Sequence, residues 1–223
     1  VGSFVRADAI PAMAGTDRVL AGITRAPGVR YRALVPNLRG AEAALDAGAD
    51  ELEVVLSVSA THNGRNLKMT VDESVDQIAA VVERAVGAGV PVEAILATSF
   101  GCPYEGAVPP ERVVDVALRL VDAGCDEVSI GDTIGVAVPT QVADVTGRLK
   151  HAIPADRLAV HFHDTRGTAL ANVLAALQEG IAIVDSSAGG LGGCPYAPGA
   201  SGNLATEDLL YMLHGMGIET GVD

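Results

Sequence analysis

The sequence contains no tryptophan, only 3% aromatic residues and only two lysines, Lys68 and Lys150. Acidic residues outnumber basic ones by 28 to 15, which gives a formal net charge of −13. Without a basic cluster, such a chain is unsuited to a nucleic acid or to an anionic membrane surface, so we expect neither partner. An anionic substrate would need a local metal ion or arginine. We interpret one group of arginines as a solvated surface: Arg25, Arg30, Arg32 and Arg39.

Long apolar runs are also absent. No apolar stretch approaches the roughly 20 residues that span a bilayer, and the amino end carries no charged region leading into a cleavable apolar segment. The three cysteines, Cys102, Cys125 and Cys194, are odd in number and widely spaced. This pattern fits a reducing compartment better than a disulfide framework. We predict a soluble protein of the cytoplasm, or of the mitochondrial matrix in a eukaryote.

What the sequence does contain is a repeating α/β pattern. With 49% apolar residues and a mean hydropathy of +0.33, residues 1–223 can bury one large core, and we expect a single domain. Short β-branched runs, each mainly apolar on both faces, alternate with helical stretches that end near a glycine. The predicted strands are 31–35, 51–58, 92–99, 127–130, 158–163 and 181–185, with 1–5 as the end of another. The predicted helices are 40–47, 71–87, 110–123, 139–151, 169–179 and 205–215.

Two architectures fit alternating βα units: a closed barrel and an open doubly wound sheet. The phosphate-binding fingerprints typical of the open sheet are missing from the sequence. In a barrel, functional residues gather at the carboxyl ends of the strands, and polar residues collect there in this chain: Asn37, Ser57, Ser59, Ser99, Asp132, Thr133, His161, His163, Ser186 and Ser187. We therefore predict a TIM (β/α)8 barrel. Because seven strands are recognisable, we expect its first βα unit to be missing from this chain.

His161 and His163 end the apolar run 158–163. Since side chains alternate along a strand, the two imidazoles point the same way, about 6 to 7 Å apart along the chain, and can bind one cation. The alternative is a pair of buried or stacked histidines without a ligand. We favour the metal site, because Asp164 and further polar residues follow.

A glycine-dense segment, residues 189–203, follows the last predicted strand and carries Cys194 in its middle. Its composition indicates a mobile lid, with a plain surface connection as the alternative. We interpret Cys194 as a working thiol and Cys125, at a strand entrance, as a core residue. Cys102 stays open between these two roles.

Three further polar residues have both a structural and a functional interpretation. Asp132 ends a strand and is either a helix N-cap or a site carboxylate, of which we favour the second. Asn203 precedes the last predicted helix, so an N-cap is the default, although its amide oxygen is also a hard metal ligand. Asn66 lies in the polar stretch 61–70, where the residue pattern alone indicates a loop.

Four segments together resemble the hydroxymethylglutaryl-CoA lyase family, which lies within the metal-dependent lyase and synthase barrels. They are GCPYEG at 101–106, GDTIG at 131–135, HFHDT at 161–165, and 185–208 with its loop GGLGGCPYAPGASGN. The resemblance covers essentially the whole chain, and the cysteine loop is its most specific part. The family's first strand carries an Arg-Asp pair, and a glutamate precedes the segment that matches residues 1–4. Neither feature is present here.

The resemblance implies an activity and a set of site residues. The activity is the cleavage of 3-hydroxy-3-methylglutaryl-CoA to acetyl-CoA and acetoacetate, a carbon–carbon lyase reaction of leucine degradation that uses Mg²⁺ or Mn²⁺. The implied residues are His161, His163 and Asn203 for the metal, Cys194 and Asp132 for catalysis, and Asn66 and Thr133 for binding the acyl-CoA substrate.

Two alternatives to the lyase stay open. One is a related barrel synthase or aldolase acting on acyl-CoA, against which the lid cysteine argues. The other is a catalytically incomplete chain that binds metal or CoA without turnover. A small acyl-CoA molecule is the expected partner, and a homodimer is one candidate assembly.

Overall fold

The structure, a computed structural model, describes residues 2–6, 8, 10–193 and 202–222, and strands and helices alternate along them. Its strands are β1 (Gly2–Ser3), β2 (Arg32–Leu34), β3 (Glu51–Ser57), β4 (Val92–Ala97), β5 (Glu127–Asp132), β6 (Leu158–Phe162) and β7 (Ile183–Asp185). Its α-helices are α1 (Thr16–Gly22), α2 (Leu38–Asp46), α3 (Ala60–Asn66), α4 (Val71–Val86), α5 (Pro110–Asp122), α6 (Pro139–Leu149), α7 (Ala169–Gln178) and α8 (Thr206–Gly215). The strands pair in parallel and in chain order. The predicted α/β alternation is confirmed.

The sheet curls strongly about its inner face. In a flat sheet, β2 and β7 would be five strand spacings apart, roughly 24 Å. Instead, Arg32 Nη1 of β2 lies 3.9 Å from Asp185 Oδ1 of β7. This contact requires a barrel-like curvature and excludes the open doubly wound sheet. In the described residues, β1 and β7 are not paired with each other.

The two faces of the sheet differ in chemistry, which corrects the expectation that the strands are apolar on both. The face toward the helices is apolar, with side chains only 0–3% exposed: Leu52, Val54, Leu56, Val92, Ala94, Leu96, Val128, Ile130, Leu158, Val160 and Phe162. The alternate residues point into the curl, where apolar side chains such as Val55 and Ile95 are mixed with a charged and polar set. That set is Arg32, Glu51, Glu53, Glu93, Glu127, Ser129, His161 and Asp185. Parallel strands thus bury their apolar face under helices and keep polar groups inside the curl.

Two helices were absent from the sequence prediction. α1 is short, and α3, with the sequence ATHNGRN, has neither an apolar stripe nor strong helix formers. The Ser59 hydroxyl fixes the start of α3 by accepting from His62 N at 3.1 Å. The longest helix, α4, has 16 residues, and no helix in the described part of the chain combines the length and apolarity needed to cross a bilayer.

Candidate metal and substrate site

Two imidazoles lie side by side where β6 ends, on the inner face of the sheet. His161 is in β6, and His163 is the first residue after that strand. Their ring centroids are 5.4 Å apart, with an angle of 53° between the ring planes. The predicted same-side placement is therefore present, at a spacing that allows both rings to reach one ion.

Asn203 pairs directly with the second of these histidines. His163 and Asn203 form an isolated antiparallel bridge, and Leu204 N donates to Phe162 O at 3.1 Å. The expected N-cap role of Asn203 is wrong, because Ala205 is the N-cap of α8 and no side chain caps that helix. Chain pairing with the end of β6, rather than helix capping, fixes Asn203 in the site.

The donor atoms of this group test whether a cation fits. Asn203 Nδ2 donates to Leu191 O at 2.9 Å, which leaves Oδ1 as the free end of the amide. Asn203 Oδ1 and His163 Nδ1 are both buried and make no hydrogen bond of good geometry, although Asn203 lies close enough to His161 to help raise the pKa of that imidazole. Buried polar atoms without partners are rare and costly. Two of them on paired residues, beside a second imidazole, fit a hard or borderline divalent cation.

Among the described residues, the Asn203 amide is the candidate for a third protein ligand. Within the described residues, no three side chains of the His, Cys, Asp and Glu types are grouped so that they could hold a metal ion. The Asn203 oxygen could complete a set of three with the two imidazoles. Three protein ligands would leave positions of an octahedral ion for substrate oxygens.

The two imidazoles differ in their proton affinity. Burial lowers the pKa of His161, but the Asp185 carboxylate and its hydrogen bond outweigh burial and leave that pKa above its ordinary value. Burial, together with the charge of His161, lowers the pKa of His163 to about 4. His163 is therefore neutral near pH 7, which is the state that binds metals.

Glycines of the segment after β7 allow it to approach Asn203. Gly190 and Gly192 have φ values of +65° and +102°, a region that favours glycine. A Cβ atom at Gly190 would lie 2.9 Å from Asn203 O, and one at Gly192 would lie 2.9 Å from Asn203 Nδ2. This part of the glycine-rich segment is a close-packed support for the site. Cys194 and the rest of the predicted lid, residues 194–201, lie outside the described residues.

Comparison with known proteins gives the family. The family model described as HMGL-like matches residues 9–223. The chain belongs to this family. It is 51% identical to the cytoplasmic 3-hydroxy-3-methylglutaryl-CoA lyase of Danio rerio, over 99% of this chain and 66% of that protein. It therefore spans about two thirds of the length of that relative.

Solved structures agree with the HMGL-like assignment. The hydroxymethylglutaryl-CoA lyase of Pseudomonas aeruginosa superposes with a TM-score of 0.96 at 48% identity, over 100% of this chain and 74% of that one. An HMG-CoA lyase from Acinetobacter baumannii, solved with coenzyme A and 3-methylmalate, superposes with a TM-score of 0.95 at 42% identity, over 100% and 72%. The predicted barrel class and the family resemblance are confirmed.

The two residues that the HMGL-like resemblance places at the end of β5 have structural partners. Asp132 is fully buried, and its two carboxylate oxygens accept from Val136 N and Ala137 N at 2.9 Å each. Burial raises its pKa, although these backbone donors oppose that shift. Thr133 Oγ1 accepts from Thr98 N at 2.7 Å. Asp132 thus holds the β5–α6 loop in shape and Thr133 ties that loop to the end of β4, while their roles in chemistry stay predictions.

The structure also decides the surroundings of three other residues. Asn66 is the last residue of α3 and half-buried, so the loop prediction for it is wrong, because the helix extends through residue 66 of that polar stretch. Cys125 is fully buried and burial raises its pKa to about 12, which confirms a core residue. Cys102 is buried too, with its Sγ 2.9 Å from Ser59 Oγ, and it accepts from Tyr104 N at 3.3 Å. These contacts give Cys102 a structural role.

Sequence reasoning missed the charged interior. Arg32, interpreted as part of a solvated surface, lies inside the curl, where Nη2 is 3.1 Å from Glu51 Oε1 and Nη1 pairs with Glu93. Asp185 lies beside it and also approaches His161 Nδ1 at 3.3 Å. The signal that could have found them is the period-2 placement of charges along successive strands.

Proposed function

We propose that this chain is a divalent-metal-dependent lyase that cleaves 3-hydroxy-3-methylglutaryl-CoA to acetyl-CoA and acetoacetate, a step of leucine degradation. The observation that carries the proposal is the meeting of His161, His163 and Asn203, with two buried donor atoms that lack a partner. Similarity to named lyases supports the substrate. The coenzyme A in the A. baumannii structure supports an acyl-CoA as the small-molecule partner.

The cleavage defines what the residues have to do. Bound by the three ligands, Mg²⁺ or Mn²⁺ would act as a Lewis acid that lowers the pKa of the tertiary hydroxyl and orients the substrate. Once the hydroxyl proton has left, the electron pair of the former O–H bond forms the ketone C=O bond of acetoacetate while the carbon–carbon bond breaks. The electron pair of that bond stays on the thioester enolate, which takes a proton to give acetyl-CoA. The chain must therefore accept one proton and deliver another.

Cys194 is the proposed proton donor. A thiol carried by a glycine-rich segment can reach the enolate when the segment closes, and closure excludes water that would compete. Asp132 is a weaker choice for the proton acceptor, because both its oxygens already accept backbone hydrogen bonds. We propose that Asp132 and Thr133 shape the wall of the site and that Asn66 contacts the acyl-CoA.

The compartment and the assembly are also proposals. Cys102 and Cys125 are buried, free thiols, which agrees with a reducing compartment such as the cytoplasm. The homodimer stays a prediction.

An assay of product formation tests the activity. We expect the purified chain with Mg²⁺ and 3-hydroxy-3-methylglutaryl-CoA to release acetoacetate, to lose this activity after EDTA, and to regain it when metal is returned. Condensation of acetyl-CoA with a keto acid, without cleavage, would instead show a synthase. Binding of Mn²⁺ without turnover of either substrate pair would show a binding-only chain and end the proposal.

A matched pair of cysteine variants tests the thiol. The tetrapeptide Gly-Cys-Pro-Tyr occurs twice, at 101–104 and at 193–196. We expect Cys194→Ala to lower kcat by roughly 100-fold or more, because it removes a general acid, with KM nearly unchanged. Cys102→Ala, in the same local sequence, should keep kcat within a few-fold. Equal turnover in both variants would remove the thiol from the mechanism.

A further inference from the structure

We propose that Asp185 is a positioning residue that fixes the tautomer of His161, so that Nδ1 carries the proton and Nε2 presents its lone pair to the cation. The inference deepens the proposed function, since it rests on the same metal site. Asp185 itself would not touch the metal or the substrate.

The sheet brings the two residues together. β6 and β7 pair in parallel with His161 opposite Asp185, and both side chains point into the curl. His161 Nδ1 lies 3.3 Å from Asp185 Oδ2. A carboxylate can only accept, so Nδ1 must be the protonated nitrogen when the imidazole is neutral. Histidine ligands are commonly oriented in this way by a carboxylate behind them.

Other inner-face residues hold the carboxylate in place. Ser129 Oγ of β5 donates to Asp185 Oδ2 at 3.2 Å, and Arg32 Nη1 lies 3.9 Å from Asp185 Oδ1. Arg32 is fixed in turn by an ion pair with Glu51 and by contact of its guanidinium with the carboxyl group of Glu93. A continuous set of contacts therefore runs from the base of the barrel to the metal ligand. The charged residues inside the curl would therefore help to orient a metal ligand as well as pair with one another.

The second imidazole shows that this support is specific. His163 Nδ1 is buried and has no hydrogen-bond partner, so no acceptor in the described residues sets the position of its proton. Only one of the two histidines is oriented in advance. A variant of Asp185 should therefore change the state of His161 and leave that of His163 alone.

Nitrogen-15 NMR of the metal-free chain tests the tautomer directly. Long-range ¹H–¹⁵N correlation spectra at about pH 8.5 should show His161 with the proton on Nδ1. In Asp185→Asn the proton should move largely to Nε2, and Asp185→Glu should restore part of the original population. The control is Glu127→Gln, which removes a carboxylate 3.4 Å from Arg32 and should leave the His161 spectrum unchanged.

Mn²⁺ affinity, measured by titration, is the second readout. Because loss of a carboxylate behind a metal-binding histidine typically costs 10- to 100-fold in affinity, we expect that loss in Asp185→Asn and less than a threefold change in Glu127→Gln. If the spectra of the wild-type chain showed the His161 proton on Nε2, that result alone would overturn the inference. If the wild-type chain failed to bind Mn²⁺, the proposed function would fail while the tautomer result could still stand.

Discussion

The inner and outer faces of the sheet use the same strands for different purposes. On β4, Leu96 faces the helices and is 0% exposed, whereas Glu93 faces the curl and contacts Arg32. On β6, Val160 is core, while its neighbour His161 is a candidate ligand. Alternation along a strand thus separates stability from chemistry residue by residue. We therefore expect substitutions on the outer face to lower mainly the free energy of unfolding, and substitutions on the inner face to lower mainly the affinity for Mn²⁺.

An outer-face truncation should give the largest loss of stability. Leu96→Ala leaves a cavity in a fully buried layer, so we expect the free energy of unfolding to fall by about 3 kcal/mol. Urea denaturation measures this loss. Mn²⁺ affinity, measured well below the unfolding midpoint, should stay within about threefold of the wild-type value. A large loss of affinity in this variant would mean that the two faces are not separable.

An inner-face ligand substitution should show the reverse. His163→Ala removes a proposed ligand whose buried Nδ1 has no partner. We expect Mn²⁺ affinity to fall at least 100-fold, which corresponds to about 2.8 kcal/mol. The free energy of unfolding should fall by clearly less than in Leu96→Ala, because the cavity left by the imidazole is offset by removal of a buried atom without a partner. Calorimetric titration and urea denaturation give the two values. A loss of stability as large as that of Leu96→Ala would show that His163 is a core residue instead.

Glu93 should make stability depend on pH. Burial, reinforced by the charge of Asp185, raises the pKa of Glu93 to about 9, because one arginine cannot neutralise all the neighbouring carboxylates. The folded state therefore holds a proton that the unfolded state releases at lower pH, and the free energy of unfolding falls as pH rises through this window. We expect Glu93→Gln to remove about 2 kcal/mol of that decline between pH 5.0 and 6.5.

The comparison of urea midpoints at those two pH values isolates the titration of Glu93 and its interacting neighbours, because ionisable groups outside the Arg32 cluster titrate alike in both proteins. Parallel pH profiles of wild-type and Glu93→Gln chains would contradict a protonated Glu93. Glu127→Gln, at the more exposed edge of the same cluster, is the matched control and should change the slope less.

The smallest expected effect tests the glycine support of the site. In Gly192→Ala a Cβ would lie 2.9 Å from Asn203 Nδ2, whereas in Gly167→Ala, where φ is also positive, a Cβ would have nothing within 4 Å. Both variants should lose about 1 kcal/mol of stability. Only Gly192→Ala should also weaken Mn²⁺ binding, by several-fold in a titration. Equal Mn²⁺ affinity in the two variants would show that Asn203 does not depend on this packing.

Much of the framework could be predicted from local sequence, but the interior could not. β-branched runs and helix-ending glycines located six helices and seven strands to within a few residues, because these signals are local. The charges Glu51, Glu93 and Asp185 were hidden, since their meaning depends on which face of the strand points into the curl. From the residue pattern alone a helix cap was the default for Asn203, because its pairing partner, His163, is distant in sequence. Tertiary contacts decide such residues.

The central claim is that His161, His163 and Asn203 bind a single cation on the inner face of the sheet. The most direct test is a crystal of this chain soaked in Mn²⁺ and measured at an energy where manganese scatters anomalously. We predict one anomalous peak within coordination distance of both imidazoles and the Asn203 oxygen. A Mn²⁺-soaked crystal without a peak between these three side chains, or with manganese bound only elsewhere, would contradict the account.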